Sequence, residues 1–586
     1  MNASANDSSA SSLREIYACQ QQTAQEISTE HWNTRIAEEQ FLLARNPSDA
    51  NAYIELSHCL MKLHREDEAI ALLEQGLERC PRSERLHEMY LSALEKCNQT
   101  EKAIATAQNA LRIFPKNFWL RLKEALLLPV VYASGAEVEH FRSRFTAGLG
   151  KISKEMSLGT PELRREALAA IGSHVNLGLG YQAQDDRALQ IQYGELAHRI
   201  VSANFPEFVK SIPTPPLEPV GKIRVGYISS RFVDVSATKC FLGWMTRHSQ
   251  SKFEITAYYL GEKVDAVTRE VQNSVHSFRQ LTGPLEEIAA RILTDQLHVL
   301  IYLDVGMKPI LTQLAAMRLA PIQCMTWDQP ITSGLPTVGY FISSELMEPA
   351  DGDCHYSERL IRLPGVGVCF QKPVIPKVLF NKERRDFGLR DDAVVFLCSQ
   401  AVQKQLPEYD AVFVEIARRV PGAQFVFLAP NTPCGRDYRE RLDRAFTLEG
   451  QRFEDHCVIL GLQDRFVYWN LNVVSDIFLD TIGWSGGVST IEAIACGLPV
   501  VTLPGMLMRS NHAKAILTQF GVSQTIARSE ADYVDIAARL GTDLEWRAGI
   551  KQTLADRTPA FYTEEECIAA LEGFIQSAVS GRPYSG

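Results

Sequence analysis

The segment DTIGWSGGVSTIEAIACGLPVVTLPG, residues 480–505, concentrates residue types that can hold a phosphorylated ligand. Asp480 closes a short apolar run. Gly483, Gly486 and Gly487 then let the backbone approach a ligand closely, because glycine has no Cβ to hold it off. Ser489 and Thr490 fall at the start of a helix that the spacing carries to about Cys496. Free N–H groups and the positive end of the helix dipole suit a diphosphate there. Glu492, three residues past Ser489, can close an S-x-x-E capping box or offer its carboxylate to a ribose diol. The segment has no G-x-G-x-x-G behind a first strand and no closing G-K-[ST], so it is neither a dinucleotide fingerprint nor a Walker loop. Its place late in the chain fits a loop cradling the diphosphate of a nucleotide sugar.

The elements that must position this loop are legible as apolar runs separated by helical patterns. IRVGYISS (Ile223–Ser230), FEITAYYL (Phe253–Leu260), HVLIYLDVG (His298–Gly306), PIQCMTW and VGYFISS form a first set of strands. After a connection at Lys372–Arg390 come AVVFLCS, AQFVFLAP, CVILG, VSDIFLD and PVVTLPG. Nearly continuous apolar strands alternating with helices predict parallel sheets covered on both faces. Ligands of such sheets bind beyond the carboxyl ends of the strands. A final helical run, FYTEEECIAALEGFIQSAV, is expected to pack back across the first half.

The chain opens differently. Pro47, Pro81 and Pro115 recur every 34 residues, as do Ala69 and Ala103, and Leu77 and Leu111. The segment DANAYIELSHCLMKLHREDEAIALLEQGLERCPRS reads as helix, turn, helix with one apolar stripe each. This period is that of tetratricopeptide repeats, two of them clear and a third decaying after Pro115. Helical but aperiodic sequence follows to Pro206, and the proline-rich SIPTPPLEPVG then reads as a linker.

Composition excludes several classes. The 586 residues carry 60 basic and 70 acidic side chains, a formal charge of -10, which argues against nucleic acid or a membrane surface as partner. The start has no basic region followed by an apolar run, and no apolar stretch is long enough to cross a bilayer. The 13 cysteines are scattered without a CxxC, so no metal or dithiol site is expected, and a reducing cytoplasm is the simpler home.

The segment SDIFLDTIGWSGGVSTIEAIACGLPVVTLPG resembles the donor site of GT-B glycosyltransferases. With RVGYISSRF, VDAVTREV, RLAPIQCMTWDQPITSGLP, YSERLIRLP, GTDLEWR and HVNLGLGYQAQDDRALQ, the chain over about residues 40–575 resembles the O-linked N-acetylglucosamine transferase and SPINDLY family. It is also similar to the related bacterial protein N-glucosyltransferases. The resemblance implies α plus α/β architecture: tetratricopeptide-like helical repeats, then a GT-B fold of two Rossmann-like doubly wound domains. The expected division is 1–120 repeats, 121–215 helical linking region, 216–375 acceptor-side lobe, 376–560 donor-side lobe, and 561–586 C-terminal helix and tail.

The same resemblance assigns residues. The family's phosphate-side lysine matches Lys404, with Gln400 just before it as a nucleotide or sugar contact. The family's G-H-T-T-x-x-D matches Gly486, Gly487, Val488, Ser489, Thr490, Ile491 and Glu492, so a glycine replaces the histidine and a valine one hydroxyl. Its base-stacking histidine aligns with Phe466, and downstream Asn511, beside His512, replaces an arginine. In the first loop, SSRFVDVSATK puts Arg231 at the family's aspartate and Val235 at its catalytic-region histidine. Valine relays no proton, which leaves the adjacent Asp234 as one substitute. Asp328 replaces a glycine of the family's loop and can act as base, bind an acceptor, or simply end a strand; Thr332 and Ser333 share that loop on the acceptor side.

The function implied is metal-independent, inverting hexosyl transfer to polypeptides. The donor implied is UDP-N-acetylglucosamine and the acceptor Ser/Thr, with no cofactor beyond the nucleotide sugar. Glucose or fucose transfer is the variant reading, and a non-catalytic GT-B scaffold binding nucleotide or protein is the alternative. The repeats imply protein contacts, either with acceptor polypeptides or with a second copy in a homodimer.

Overall fold

Successive N-caps set the register of the helical repeats in the computed structural model, which describes residues 29–217, 221–375, 382–563 and 565–584. Sequence before residue 29, assigned above to the repeat region, lies outside the described residues. Asp49 accepts from Asn51 N and Ala52 N, Ser83 from Leu86 N, and Asn117 from Leu120 N. These caps share the 34-residue period and begin helices Ala50–Lys62, Glu84–Lys96 and Phe118–Leu126. The turns inside the pairs repeat too: His64 and Asn98 both take the left-handed conformation, at φ 55° and 58°. The partner helices are Glu66–Arg79 and Thr100–Ile113. The decaying third repeat is the nine-residue helix Phe118–Leu126 followed by the long helix Gly135–Glu155.

Two parallel sheets follow. The first contains β1 (Ile223–Ser229), β2 (Phe253–Tyr259), β3 (Ser277–Gln280), β4 (Val299–Tyr302), β5 (Ile322–Thr326), β6 (Tyr340–Ser344) and β7 (Arg359–Leu363), in the order β3-β2-β1-β4-β5-β6-β7. The second contains β8 (Val394–Cys398), β9 (Ala423–Leu428), β10 (Cys457–Leu460), β11 (Ile477–Leu479) and β12 (Val500–Val501), in the order β10-β9-β8-β11-β12. The expected strands all form, because a run buried on both faces is apolar throughout; β4 and β9 are wholly buried. Two strands have no such signal. β3 (SFRQ) is a half-exposed edge-strand segment with no apolar run, and β7 (RLIRL) is a short run interrupted by arginines.

The order of each sheet reverses direction of growth once, between β1 and β4 in the first and between β8 and β11 in the second. A crevice opens at such a switch point beyond the carboxyl ends of the strands. The two lobes turn these ends toward each other.

The helical region is part of the same body. One continuous buried core runs from its helices through both sheets. Helix Arg187–Asn204 lies hard against the loop after β5: a Cβ on Gly194 would stand 2.3 Å from the Gly334 carbonyl oxygen, so only glycine fits. The repeats dock on the second lobe, where the Asn98 amide donates to Asp437 (2.8 Å) and Arg441 donates to the Tyr132 carbonyl (2.9 Å). The final run is split between helices Leu544–Thr563 and Glu566–Val579. The latter packs across the first lobe, with Phe574 edge-on to Tyr340 and Cys567 Sγ 3.2 Å from Cys369 Sγ.

Candidate active site

The loop after β11 is organised by Asp480. Its carboxylate accepts from Ser485 Oγ (2.6 Å), Gly486 N (2.7 Å) and Thr502 Oγ1 (2.7 Å), while Tyr533 donates to its carbonyl (2.9 Å). Burial pushes this carboxyl up to about 6; the hydrogen bonds and the Lys404 ammonium work against that rise. The clamp fixes Gly486 against the loop after β8. A Cβ at Gly486 would lie 2.2 Å from Gln400 Nε2 and 2.3 Å from Ser489 Oγ.

The helix that follows, Val488–Ala495, has Gly487 as its N-cap and no side chain capping it. The S-x-x-E capping box does not form. Ser489 lies inside the helix, and its hydroxyl accepts from the Gln400 amide. Thr490 donates to the Gly486 carbonyl at 2.7 Å. The amide groups at the helix start are therefore left without a side-chain acceptor, and a Cβ at Gly487 would meet nothing within 4 Å.

Lys404 closes the short turn Val402–Lys404 after β8. Its ammonium donates to Gln400 Oε1 at 3.0 Å and lies 5.5 Å from the Trp484 ring centroid. Lys404, Gln400 and Ser489 are thus one hydrogen-bonded chain ending at the helix start. Desolvation lowers the Lys404 ammonium to about 8, partly opposed by Asp480. Tyr181 of the helical region packs on Trp484, ring centroids 4.6 Å apart.

The first lobe supplies the other wall. Arg231, Asp304 and Asp328 each stand two residues beyond the ends of β1, β4 and β5, which are neighbours in the sheet. Asp304 accepts from Ser230 Oγ at 2.7 Å, but its second oxygen has no partner among the described residues; neither has Asp328 Oδ2. Burial raises the Asp328 carboxyl to about 7, with Asp304 adding to the rise and Arg231 opposing it. Trp327 packs on His512 of the second lobe at 5.3 Å. His512 donates from Nδ1 to the Ser485 carbonyl (3.1 Å), leaves Nε2 without a partner, and is driven down to about 4 by burial, so it is neutral at pH 7.

The remaining sequence candidates are spread around this cleft. Glu492 pairs with Lys239 of the first lobe (3.2 Å), and Lys239 lies 3.7 Å from Asp234, which also pairs with Arg465 of the second lobe. Phe466, half-exposed, meets Trp469 edge-on at 5.9 Å. Asn511 is buried with its amide spent on backbone: it accepts from Gly505 N (3.1 Å) and donates to the Met347 carbonyl (2.9 Å), tying the lobes together. Thr332 and Ser333 both donate to the Glu358 carboxylate, which holds their loop. Sequence reasoning does not find Asp304, Lys239, Trp484 or Tyr181. Asp304 has a signal, as the one acidic residue at the end of the apolar strand HVLIYLDVG. Lys239 has none.

Among the described residues no group of three or more His, Cys, Asp or Glu is placed to hold a metal ion, and no helix is long and apolar enough to cross a membrane.

Residues 162–370 and 371–562 match the model of a family described as glycosyl transferase family 41. A protein of Arabidopsis thaliana named "Probable UDP-N-acetylglucosamine--peptide N-acetylglucosaminyltransferase SPINDLY" is 28% identical over 353 residues, 58% of this chain and 37% of that one. The SEC protein of the same plant, named for the same activity, is 25% identical over 377 residues, 62% of this chain and 38% of its own. The chain therefore spans little more than a third of these relatives. Among solved structures, a lysine-to-methionine mutant of Thermobaculum terrenum O-GlcNAc transferase superposes with a TM-score of 0.66 at 19% identity, covering 95% of this chain and 98% of that one. At that identity the likeness bears on the fold: helical repeats followed by a GT-B pair of lobes.

Proposed function

The chain belongs to glycosyl transferase family 41, and from that premise we propose that it is a metal-independent, inverting glycosyltransferase acting on polypeptides. The donor is a nucleotide sugar, UDP-N-acetylglucosamine in the first instance, and the acceptor a Ser or Thr hydroxyl. The observation that carries the reading is the chain Lys404–Gln400–Ser489, which sets an ammonium beside a helix start that no side chain caps.

The diphosphate lies against that helix start, where amide N–H groups and the dipole favour its charge. Glu492 takes the ribose diol and Phe466 stacks on the base. As the acceptor oxygen attacks the anomeric carbon from the first lobe, the bond to the diphosphate breaks and its electron pair passes to the leaving group. Lys404 stabilises that charge where it develops, which is where a buried cation is worth most. The acceptor's proton passes to Asp328, whose partnerless oxygen stands in the first-lobe wall. Asp234 is less suited to this, because both neighbouring cations already claim its carboxylate. The relatives named for N-acetylglucosamine transfer to peptides support the donor chosen and a polypeptide as acceptor. The repeats hold the acceptor polypeptide or a second copy of the chain.

The test is release of nucleoside diphosphate from UDP-N-acetylglucosamine, UDP-glucose and GDP-fucose, each supplied separately with and without a polypeptide extract. Acceptor-dependent release with the first donor is expected. Binding without turnover for all three would replace the transferase with a nucleotide-binding scaffold.

A further inference from the structure

Beyond the ends of β1, β4 and β5 the first lobe builds a row of three charged side chains. The strands are adjacent and parallel, with Ile228 beside Tyr302 and Tyr302 beside Met325. Two residues past their ends stand Arg231, Asp304 and Asp328, so the middle position of the row belongs to Asp304. The loops are cross-tied: Ser230 Oγ donates to Asp304 (2.7 Å), and Thr326 Oγ1 donates to the Leu303 carbonyl (2.9 Å). The row is therefore held by hydrogen bonds between neighbouring loops, with no ion pair within it among the described residues.

Its hydrogen bonding is lopsided. One Asp304 oxygen is satisfied by Ser230, while Asp304 Oδ1 and Asp328 Oδ2 are both buried and unpartnered. No ion pair joins Arg231 to either carboxylate among the described residues. A buried acceptor without a donor costs free energy, so two of them in one wall mark a place where a ligand supplies the missing hydrogen.

We propose that Asp304 and Arg231 are positioning residues for Asp328, the middle carboxylate and the flanking guanidinium together setting the charge environment in which Asp328 takes the acceptor's proton. This rests on the transferase reading of the cleft. Asp304 receives the Ser230 hydrogen bonds, which with Arg231 oppose the rise that burial imposes on its own carboxyl; negative charge there, next in the row, makes a second negative charge on Asp328 costly and so makes Asp328 a stronger base. Arg231 pulls the other way. During transfer, the acceptor O–H bond breaks, its proton goes to Asp328 Oδ2, the oxygen bonds to the anomeric carbon, and the diphosphate departs with the electron pair toward Lys404. The unit replaces the histidine for which this chain has Val235. The other titratable groups facing Asp328 take no part in the proton transfer. Cys240, on helix Ser236–Thr246, has its thiol pushed well up by burial and by Asp328, and His512, stacked on Trp327, is neutral.

The two positioning groups act in opposite directions, which a merely structural role would not reproduce. The Asp328 carboxyl is followed by pH-difference infrared spectroscopy of the full chain, using Asp328→Asn as the subtraction, and donor turnover is measured across the same pH range. Asp304→Asn is expected to move the carboxyl titration down by about one unit or more, a tenfold change in proton affinity, and Arg231→Gln to move it up. The low-pH limb of turnover should move with each. Unmoved titrations, or shifts of the same sign, would overturn the proposal. If Asp304→Asn does not fold, the upward shift in Arg231→Gln decides alone. Opposite infrared shifts in a chain that turns over no donor would keep the positioning pair and reject the transferase.

Discussion

Lys239 of the first lobe reaches across the cleft to within 3.2 Å of Glu492 on the second-lobe helix, so the carboxylate proposed for the ribose is held by a cation from the opposite wall. Lys239 is about one-third exposed, and an ion pair in that setting is worth ~1 kcal/mol or less. A ribose diol can displace it. Glu492→Ala is therefore expected to raise the donor KM about tenfold, the loss of a hydrogen bond to a charged group, while Lys239→Ala changes it by less than about threefold. Steady-state kinetics with varied donor checks this. Equal effects in both variants would make Glu492 a strap between lobes and no ribose ligand.

Lys404 gives the plainest kinetic expectation. In the proposed transfer its ammonium stabilises the leaving group most as charge develops, so Lys404→Ala should cut kcat by about a hundredfold to a thousandfold with a much smaller change in donor KM. Because desolvation lowers the lysine to about 8, kcat of the parent should fall as pH rises through that value, when the ammonium loses its proton. Single-turnover measurements from pH 6 to 10 test both. Unchanged kcat in the alanine variant would remove Lys404 from the chemistry.

Asp328 predicts a stability effect of definite sign. Its folded-state value is raised to about 7 from an ordinary 3.8, so the folded chain binds its proton more tightly than the unfolded chain does. The stability this contributes is fully present below pH 4 and is lost as pH rises through 7. Asp328→Asn keeps the shape without the charge. Relative to the parent it should gain thermal stability at pH 8, by up to about 4 kcal/mol on the linkage relation, and gain nothing near pH 4. Melting curves at the two pH values would expose an error as an equal shift at both.

What the sequence makes legible follows from how locally each feature is encoded. The repeats are readable because caps, turns and stripes recur at one period, and the inner strands because burial on both faces demands unbroken apolar runs. Edge strand β3 carries no such demand. In the site, the glycine loop and Lys404 can be picked out, but Gln400 as the link between them is a contact 89 residues long in sequence. The Arg231–Asp304–Asp328 row is harder still: it exists only because β1, β4 and β5 lie side by side. The capping-box reading of Ser489 and Glu492 fails because the helix begins one residue before Ser489, with Gly487 as its cap.

Gly486 and Gly487 separate the site from the scaffold. A Cβ at Gly486 would meet Gln400 Nε2 at 2.2 Å and Ser489 Oγ at 2.3 Å, the tips of two side chains and no backbone. Such atoms move at little cost, so Gly486→Ala should fold with a melting temperature near the parent's. Moving them breaks the Gln400–Ser489 bond and leaves Lys404 without its fixed acceptor. Loss of orientation rather than of charge is then expected to lower kcat tenfold or more, on the order of 1.4 kcal/mol. Gly487→Ala is the control. Its Cβ enters open space, and alanine at an N-cap costs roughly 1 kcal/mol or less relative to glycine. That variant should lose a little stability and keep its hydrogen-bonded chain. If instead Gly486→Ala turned over donor at the parent's rate with its stability intact, the Lys404–Gln400–Ser489 chain would be a feature of packing, and the charge of Lys404 would act without a fixed position.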